Sequence, residues 1–531
     1  MNRTMRLCAV LTLFIILFSG IPAKAADYRY NMSYIYFGNA SGYTDYVQNA
    51  QNSLNEISPA YFSLNADGSL CINASIDRDF IKAMHDKGIL VVPFLSNDWD
   101  RTKGIKALNG RNKLVKDIAA AILEYDLDGI NIDIENVTPD ERAAYVDLTR
   151  LLRETLSGEK LVTVAVAANP YNTDLGWQGS YDYAGLSSYC DYLMIMAYDE
   201  HYQSGPPGPV SSLSFIEKSI LYALKYVSKE KIVLGLPFYG RIWSSSGGFP
   251  NGFGISNVRT EKLLSDYGGK VNFDLSSQSA CATLTIKPSD VKPVIGGRSL
   301  NAGTYTIFYE SERSLKAKLE LVEKYDIKGT GSWSLGQETK KTWDYYKFWL
   351  NGCYFEDIAN SWAKNTILEA YANKWIKGES AAAFNPEGQM TRAQAAVMLV
   401  RMLGLTPEKN DAWRFDDCTG RWEEPYISTA RRYELVSGVG DNLYSPQSRI
   451  TREEMAVMLN NILGYSASNS SRQYSDVTVS GNSWSISAIC ALSEKNILCG
   501  FPDGRFLPQN SLTRAEMTVL LSRLNGIMYV S

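Results

Sequence analysis

The stretch Asp128-Gly-Ile-Asn-Ile-Asp-Ile-Glu-Asn-Val137 decides how this chain is read. Ile130, Ile132 and Ile134 alternate with Asn131, Asp133 and Glu135, a period of two that belongs to a β-strand. One face is branched aliphatic; the other carries an amide and two carboxylates. An ordinary half-buried strand turns its polar face to water. A strand of a parallel barrel turns it inward, and the C-terminal rim of such strands is where active sites sit. Glu135 is expected at that rim, with Asp133 roughly 7 Å behind it on the same face. A neighbouring negative charge raises a carboxyl pKa, which keeps an acid protonated near neutrality.

The surroundings fit a barrel. From residue 28 to about 350, apolar strands alternate with amphipathic helices, the pattern of a parallel sheet covered by helices. Eight strands are predicted: Tyr34–Phe37, Tyr61–Leu64, Leu90–Phe94, Ile130–Ile134, Val162–Ala167, Tyr192–Ala197, Ile232–Leu236 and Gly331–Trp333. The span from Arg259 to Tyr309 is longer than a βα connection needs and includes the alternating run Thr304-Tyr-Thr-Ile-Phe-Tyr309. A small α+β insertion before the eighth strand is therefore expected.

The pattern Asp-Gly-x-x-x-Asp-x-Glu at Asp128, Gly129, Asp133 and Glu135 resembles the signature of family 18 glycoside hydrolases, (β/α)8 TIM barrels that act on N-acetylglucosamine-containing glycans. Met194-Ile-Met-Ala-Tyr-Asp199, Ile232-Val-Leu-Gly-Leu-Pro-Phe-Tyr-Gly-Arg241 and Gly329-Thr-Gly-Ser-Trp-Ser334 look like that family's sixth, seventh and eighth strands, in order. Asn31 to Leu335 is most similar to the branch that includes spore cortex-lytic N-acetylglucosaminidases, on Pro93-Phe-Leu-Ser-Asn97 and Val164-Ala-Val-Ala-Ala-Asn-Pro170.

At 531 residues the chain is long for one domain and suggests about two to four. Fifty-three basic and 57 acidic side chains are spread evenly, so no tract reads as a nucleic-acid or membrane footprint. Arg3 and Arg6, the apolar run Leu7 to Phe18, and Ala23-Lys-Ala25 read as a secretory signal peptide. Its apolar core is too short to span a bilayer. Removal of Cys8 with it leaves seven of eight cysteines, an odd number; Cys490 and Cys499 can pair, but sequence alone does not show it. There is no Cys-x-x-Cys and only two histidines, His85 and His201, which disfavours a zinc site. Neither histidine follows a Gly-x-Ser-x-Gly elbow, as a serine hydrolase would require. No metal or cofactor is expected.

The last 180 or so residues repeat three times. Phe355-Glu-Asp357, Phe415-Asp-Asp417 and Tyr474-Ser-Asp476 are followed by Trp362, Trp422 and Trp484. Phe384-Asn-Pro386, Tyr444-Ser-Pro446 and Phe506-Leu-Pro508 then precede Thr391-Arg-Ala-Gln394, Thr451-Arg-Glu-Glu454 and Thr513-Arg-Ala-Glu516. This array resembles three S-layer homology modules, which tether proteins to anionic secondary cell-wall polysaccharide. Thr at N-cap with Glu or Gln at N3 is a capping box, and Met517, Leu520, Leu521 and Leu524 continue with helical spacing. The cap does not explain Arg392, Arg452 and Arg514 at N1, where positive charge opposes the helix dipole. The three arginines are accordingly expected to form anion sites. The tryptophans are equally consistent with wall-polymer binding and with packing between repeats.

A single rim glutamate without a second carboxylate nucleophile fits substrate-assisted retention. In the mechanism the resemblance implies, Glu135 protonates the leaving oxygen and later activates water, and Asp133 holds the sugar's acetamido N–H. Tyr198 donates to the acetamido oxygen, Trp333 forms the floor under the ring, and Met196 and Asp199 line the subsite with Asn131 behind. The chain departs from the family's chitinases twice: Asn131 stands where they usually carry Asp, and Ser96-Asn-Asp-Trp99 replaces Ser-x-Gly-Gly. The domain plan expected is a signal peptide at 1–25, a catalytic barrel at 26–350, and repeats at 351–411, 412–470 and 471–531. The function expected is a secreted glycosidase attached to a bacterial wall and cleaving peptidoglycan. A chitinase and a catalytically silent glycan-binding barrel are the alternatives.

Overall fold

The computed structural model describes residues 28–73, 76–467, 474–478 and 480–530; the signal-peptide segment lies outside them. The chain forms two compact units, Arg29–Gly352 and Cys353–Ser531.

The first unit is a closed parallel barrel. Its strands are β1 (Tyr30–Ile35), β2 (Glu56–Pro59, resumed at Phe62–Leu64), β3 (Leu90–Val91, resumed at Phe94–Ser96), β4 (Gly129–Asp133), β5 (Leu161–Ala167), β6 (Tyr192–Met196), β7 (Ile232–Pro237) and β8 (Gly329–Trp333). Each strand pairs in parallel with the next, and β8 returns to β1 with Tyr30 opposite Gly329. The eight expected strands are present. However, β1 begins earlier and ends at Ile35, leaving Tyr36 and Phe37 exposed beyond it.

The alternation in β4 works as expected. Ile130, Ile132 and Ile134 are fully buried, while Asn131 points into the barrel, accepting from Tyr34 Oη at 3.0 Å and donating to Thr163 Oγ1 at 2.8 Å. The motif's first two residues are structural. Asp128 Oδ2 accepts from Val91 N at 2.8 Å, which aligns β3 with β4. At Gly129 a Cβ would stand 2.2 Å from Leu161 O, so only glycine fits.

The insertion is larger than expected, starting right after β7. Five antiparallel strands, in the order Phe253–Ser256, Tyr239–Ser244, Gly303–Tyr309, Ser279–Ile286 and Lys270–Asp274, pack with the helix Asn257–Tyr267 around their own apolar core.

The second unit closes on itself. Each repeat supplies two helices: Lys364–Ala372 with Arg392–Met402, Glu424–Arg432 with Arg452–Leu463, and Ile486–Glu494 with Arg514–Val530. The second helix of each repeat packs on the first helix of the next, and Arg514–Val530 packs back on Lys364–Ala372. The spacing of the repeat motif has a direct cause: each of its aspartates chelates two backbone amides. Asp357 accepts from Phe384 N and Asn385 N, Asp417 from Tyr444 N and Ser445 N, and Asp476 from Phe506 N and Leu507 N. No disulfide joins any of the seven cysteines of the described residues, Cys490 and Cys499 included.

Glu56 is fully buried in the barrel, receiving hydrogen bonds from Tyr30 Oη and Tyr192 Oη. Burial raises its pKa from 4.5 to about 7, against the opposing pull of the two tyrosines. The folded protein thus holds a proton that the unfolded chain releases between those values, so stability declines as pH rises through that window. Glu56→Gln should flatten the decline, removing a pH-dependent term of about 3 kcal/mol. Thermal melts of both proteins from pH 4.5 to 7.5 measure it, and parallel slopes would refute the assignment.

Candidate active site

β4 ends at Asp133, so Glu135 sits two residues beyond the strand on a loop that must be held in place. Four side chains hold it. Asn97 Oδ1 accepts from Glu135 N at 2.9 Å, and Asn97 Nδ2 donates to Glu135 O at 2.8 Å. Tyr145 Oη accepts from Ile134 N and Tyr181 Oη donates to Ile134 O. Arg101 fixes the next residue by donating to Asn136 O and Oδ1; Asn136 adopts a left-handed conformation, φ 59°, which turns the chain away from the mouth.

The two carboxylates are strongly perturbed. Asp133 is 6% exposed, and its Oδ1 has no hydrogen-bond partner among the described residues. Burial lifts its pKa from 3.8 to about 7. Glu135 is pushed well above 4.5, first by burial, then by the charges of Asp133 and Asp199. Asn131, bound to Tyr34 and Thr163, is an amide, so the strand places no acid directly behind Asp133.

Around the carboxylates the barrel mouth is aromatic. Trp333 at the end of β8 meets Tyr34 and Tyr36, each at 5.3 Å between ring centres, and Phe94 at 6.0 Å. Met196 and Tyr198 belong to the same interior cluster, Met196 with 8% of its surface exposed. Glu135, Met196, Tyr198 and Asp199 line a cavity of about 880 Å³ that reaches Trp99 and Trp177. Met196 thus both packs in the interior cluster and lines the cavity beside Glu135, whereas Trp333 packs at the mouth outside that lining. Asp199 Oδ1 accepts from Tyr239 Oη at 2.7 Å and from Arg241 Nη2 at 2.7 Å.

Residues 32–338 match the family model described as glycosyl hydrolases family 18, and residues 354–396, 414–456 and 473–518 match that of the S-layer homology domain. The chain belongs to glycosyl hydrolase family 18. The three repeats mark it for anchoring at the cell surface. It is similar to an uncharacterized glycosylase of Bacillus subtilis, 29% identical over 40% of this chain and 59% of the relative. The cortical fragment-lytic enzyme of Bacillus anthracis is 26% identical over 44% of this chain and 52% of the relative. A probable chitinase of Drosophila melanogaster is 30% identical over 42% and 50%. The chain thus spans about half the length of the curated relatives it matches. Among solved structures, the spore cortex-lytic enzyme of Bacillus cereus superposes with TM-score 0.53 at 19% identity, over 61% of this chain and 74% of that one. A chitinase of Chromobacterium violaceum superposes with the same score at 24% identity, over 61% and 99%. Both likenesses concern the fold.

The repeat arginines differ from expectation. Arg392, Arg452 and Arg514 are 6%, 5% and 4% exposed. Each reaches into the next repeat and donates to two backbone carbonyls: Arg392 to Tyr444 O and Ser437 O, Arg452 to Phe506 O and Cys499 O, Arg514 to Phe384 O and Lys377 O. Arg392 also pairs with Glu454, and Arg452 faces Glu516 at 3.8 Å. A charge unfavourable to its own helix therefore has internal partners, and an external anion is not needed to explain it. Trp362, Trp422 and Trp484 lie 66%, 63% and 55% exposed. Their indoles are not packed away between repeats.

Asp199→Asn removes a charge that raises the Glu135 pKa and releases the Arg241 guanidinium, which lowers that pKa further. The basic limb of kcat/KM against pH should move to lower pH, read with a chromogenic N-acetylglucosamine glycoside. A limb that stays or moves upward would show that Asp199 does not act on the acid.

Proposed function

We propose that this protein is a secreted, wall-attached N-acetylglucosaminidase that cleaves peptidoglycan by substrate-assisted retaining hydrolysis. The observation that carries the reading is Asp133 Oδ1, a buried acceptor with no hydrogen-bond partner among the described residues, beside an acid whose pKa burial pushes well above 4.5. An acetamido N–H is the donor that such an acceptor suits. Glu135 protonates the leaving oxygen while the sugar's own acetamido oxygen attacks the anomeric carbon. Asp133 fixes the N–H and offsets positive charge on the ring. Tyr198 donates to the acetamido oxygen, and Trp333 supports the sugar from below with Met196 and Asp199 around it, while Asn131, fully buried and bound to Tyr34 and Thr163, stays behind Asp133 out of the sugar's reach. Glu135 then takes a proton from the water that opens the oxazolinium ion. The cortical fragment-lytic relatives and the wall-anchoring repeats support peptidoglycan as substrate. The similarity to a probable chitinase makes chitooligosaccharide the second reading. Module limits of 26–350, 351–411, 412–470 and 471–531 belong to the same proposal.

For the repeats we infer attachment to anionic wall polysaccharide through clefts edged by the arginines and the exposed tryptophans. Trp362 and Arg452 line one such cleft of about 240 Å³. Repeat 1 carries Gln394 where repeats 2 and 3 carry Glu454 and Glu516. Arg514 consequently has no direct carboxylate contact among the described residues, Glu379 and Asp357 acting on it only electrostatically.

Glu135→Gln should lower kcat by roughly 10²–10⁴-fold, the contribution of a positioned acid, with substrate binding little changed. Mass spectrometry of digested peptidoglycan should find N-acetylglucosamine at the new reducing ends; reducing-end N-acetylmuramic acid, or release from chitin alone, would overturn the substrate. Gln394→Glu keeps the helix cap but neutralises Arg514, so it should weaken retention on isolated walls without lowering the melting temperature. By contrast, Arg392→Ala should destabilise the array by about 2–4 kcal/mol, since it strips buried carbonyls of a charged donor.

A further inference from the structure

The 880 Å³ cavity beside Glu135 lies over β4, β5 and β6, and Trp333 is not among its lining residues. Met196, Tyr198 and Asp199, placed around the sugar seated on Trp333, line the cavity's inner end, and the remainder is left for the group on the other side of the acid. Its walls are aromatic and amide in character. Trp99 and Trp177 meet edge to face at 5.1 Å, Tyr171 and Tyr202 are largely exposed, and Gln178 and Gln203 complete the neutral lining. Such surfaces stack on sugar faces and bond to hydroxyl and acetamido groups.

The charged lining is the informative part. It consists of Glu135, Asp199, Glu200 and Arg241. Arg241, the one cation among the described lining residues, has its charge paired with Asp199: Nε and Nη2 donate to Asp199 Oδ1 at 3.0 and 2.7 Å, and Nη1 to Gly252 O at 2.8 Å. Glu200 is held by Ser212 N at 2.7 Å and Ser212 Oγ at 3.0 Å, without a cation in contact. Lys318 acts on Glu200 only electrostatically, since its ammonium bonds Glu310. In the first turn of the neighbouring helix Arg101–Asn109, Arg101 is bound to Asn136 and Lys103 to Asp98. With Glu135 pushed toward its neutral form and Asp199 offset by Arg241, the lining keeps Glu200, whose distant cation Lys318 is shared with Glu310, and no unpaired cation among the described lining residues.

We propose that the cavity selects an uncharged leaving sugar, either an N-acetylhexosamine or a 3-O-lactyl sugar whose carboxyl is masked as an amide or ester. A free lactyl carboxylate entering the cavity meets Glu200 with no cation to pair with, and like-charge juxtaposition is how sites reject a competing ligand. The inference rests on the assignment of Glu135 as proton donor. It names the sugar that follows the scissile bond.

The test uses the full-length Glu135→Gln protein, which mimics the protonated acid and binds without turnover. Calorimetry at low salt compares N-acetylglucosaminyl-β-1,4-N-acetylmuramic acid with its methyl amide. The methyl amide should bind at least ~10-fold tighter, and the gap should narrow as salt rises and when Glu200→Gln is added. Equal affinities, or tighter binding of the free acid, would overturn the proposal whatever the Glu200 variant does. Turnover of the same two compounds by the unmutated enzyme reports on the hydrolase reading separately. Discrimination in binding without turnover of either would leave charge selection standing and remove the hydrolase.

Discussion

A carboxylate oxygen buried without a hydrogen-bond partner costs about 1–3 kcal/mol or more, and the mouth of this barrel is organised around Asp133, whose Oδ1 has none among the described residues. Closure of eight parallel strands brings β4 level with β3, Ser96 opposite Asp133, and places aromatic rings from β1, β3 and β8 across the opening. The dry interior that raises Asp133 also raises Glu135, and the charge of Asp133 adds to the rise at Glu135. Protonation of the acid is therefore a property of the whole sheet. Without barrel closure neither group is desolvated and the pair titrates like surface carboxylates.

Much of this is written along single strands and is legible there. The period of two in Ile130–Glu135 separates aliphatic from polar faces, and the inward face is occupied by Asn131 and Asp133 as the period requires. What sequence does not display is the set of contacts between strands. Asn97 is part of a stretch that marks the branch, yet its double hold on the Glu135 backbone, 38 residues away, has no local signature. Tyr145 and Tyr181 act on Ile134 in the same hidden manner, and nothing in composition separates them from the other tyrosines.

The repeat arginines show the same limit from the opposite direction. Local reasoning finds a cation at a helix start, where the dipole opposes it, and looks outward for an anion. The carbonyls that accept from Arg392 lie 45 and 52 residues away, and those of Arg514 lie 130 and 137 away in the first repeat. A guanidinium offers a fork of donors: one fits the carbonyl of the Phe-x-Pro or Tyr-x-Pro turn, at Phe384, Tyr444 or Phe506, and another the carbonyl seven residues before it, at Lys377, Ser437 or Cys499. The motif couples two ends of one device: the aspartate shapes the turn, and the arginine of the preceding repeat locks onto it.

Because the third repeat's arginine locks onto the first, the array has no free end. Open solenoids tolerate gain or loss of a unit, since each unit meets only its neighbours and terminal units are capped. Here every repeat is both neighbour and cap. Deleting one would break two interfaces and leave the remaining pair without a route to closure, while a fourth would have to open a satisfied ring. The number three is thereby fixed by geometry rather than by how much wall binding is required, and evolutionary tuning of attachment must act through side chains in the clefts, not through copy number.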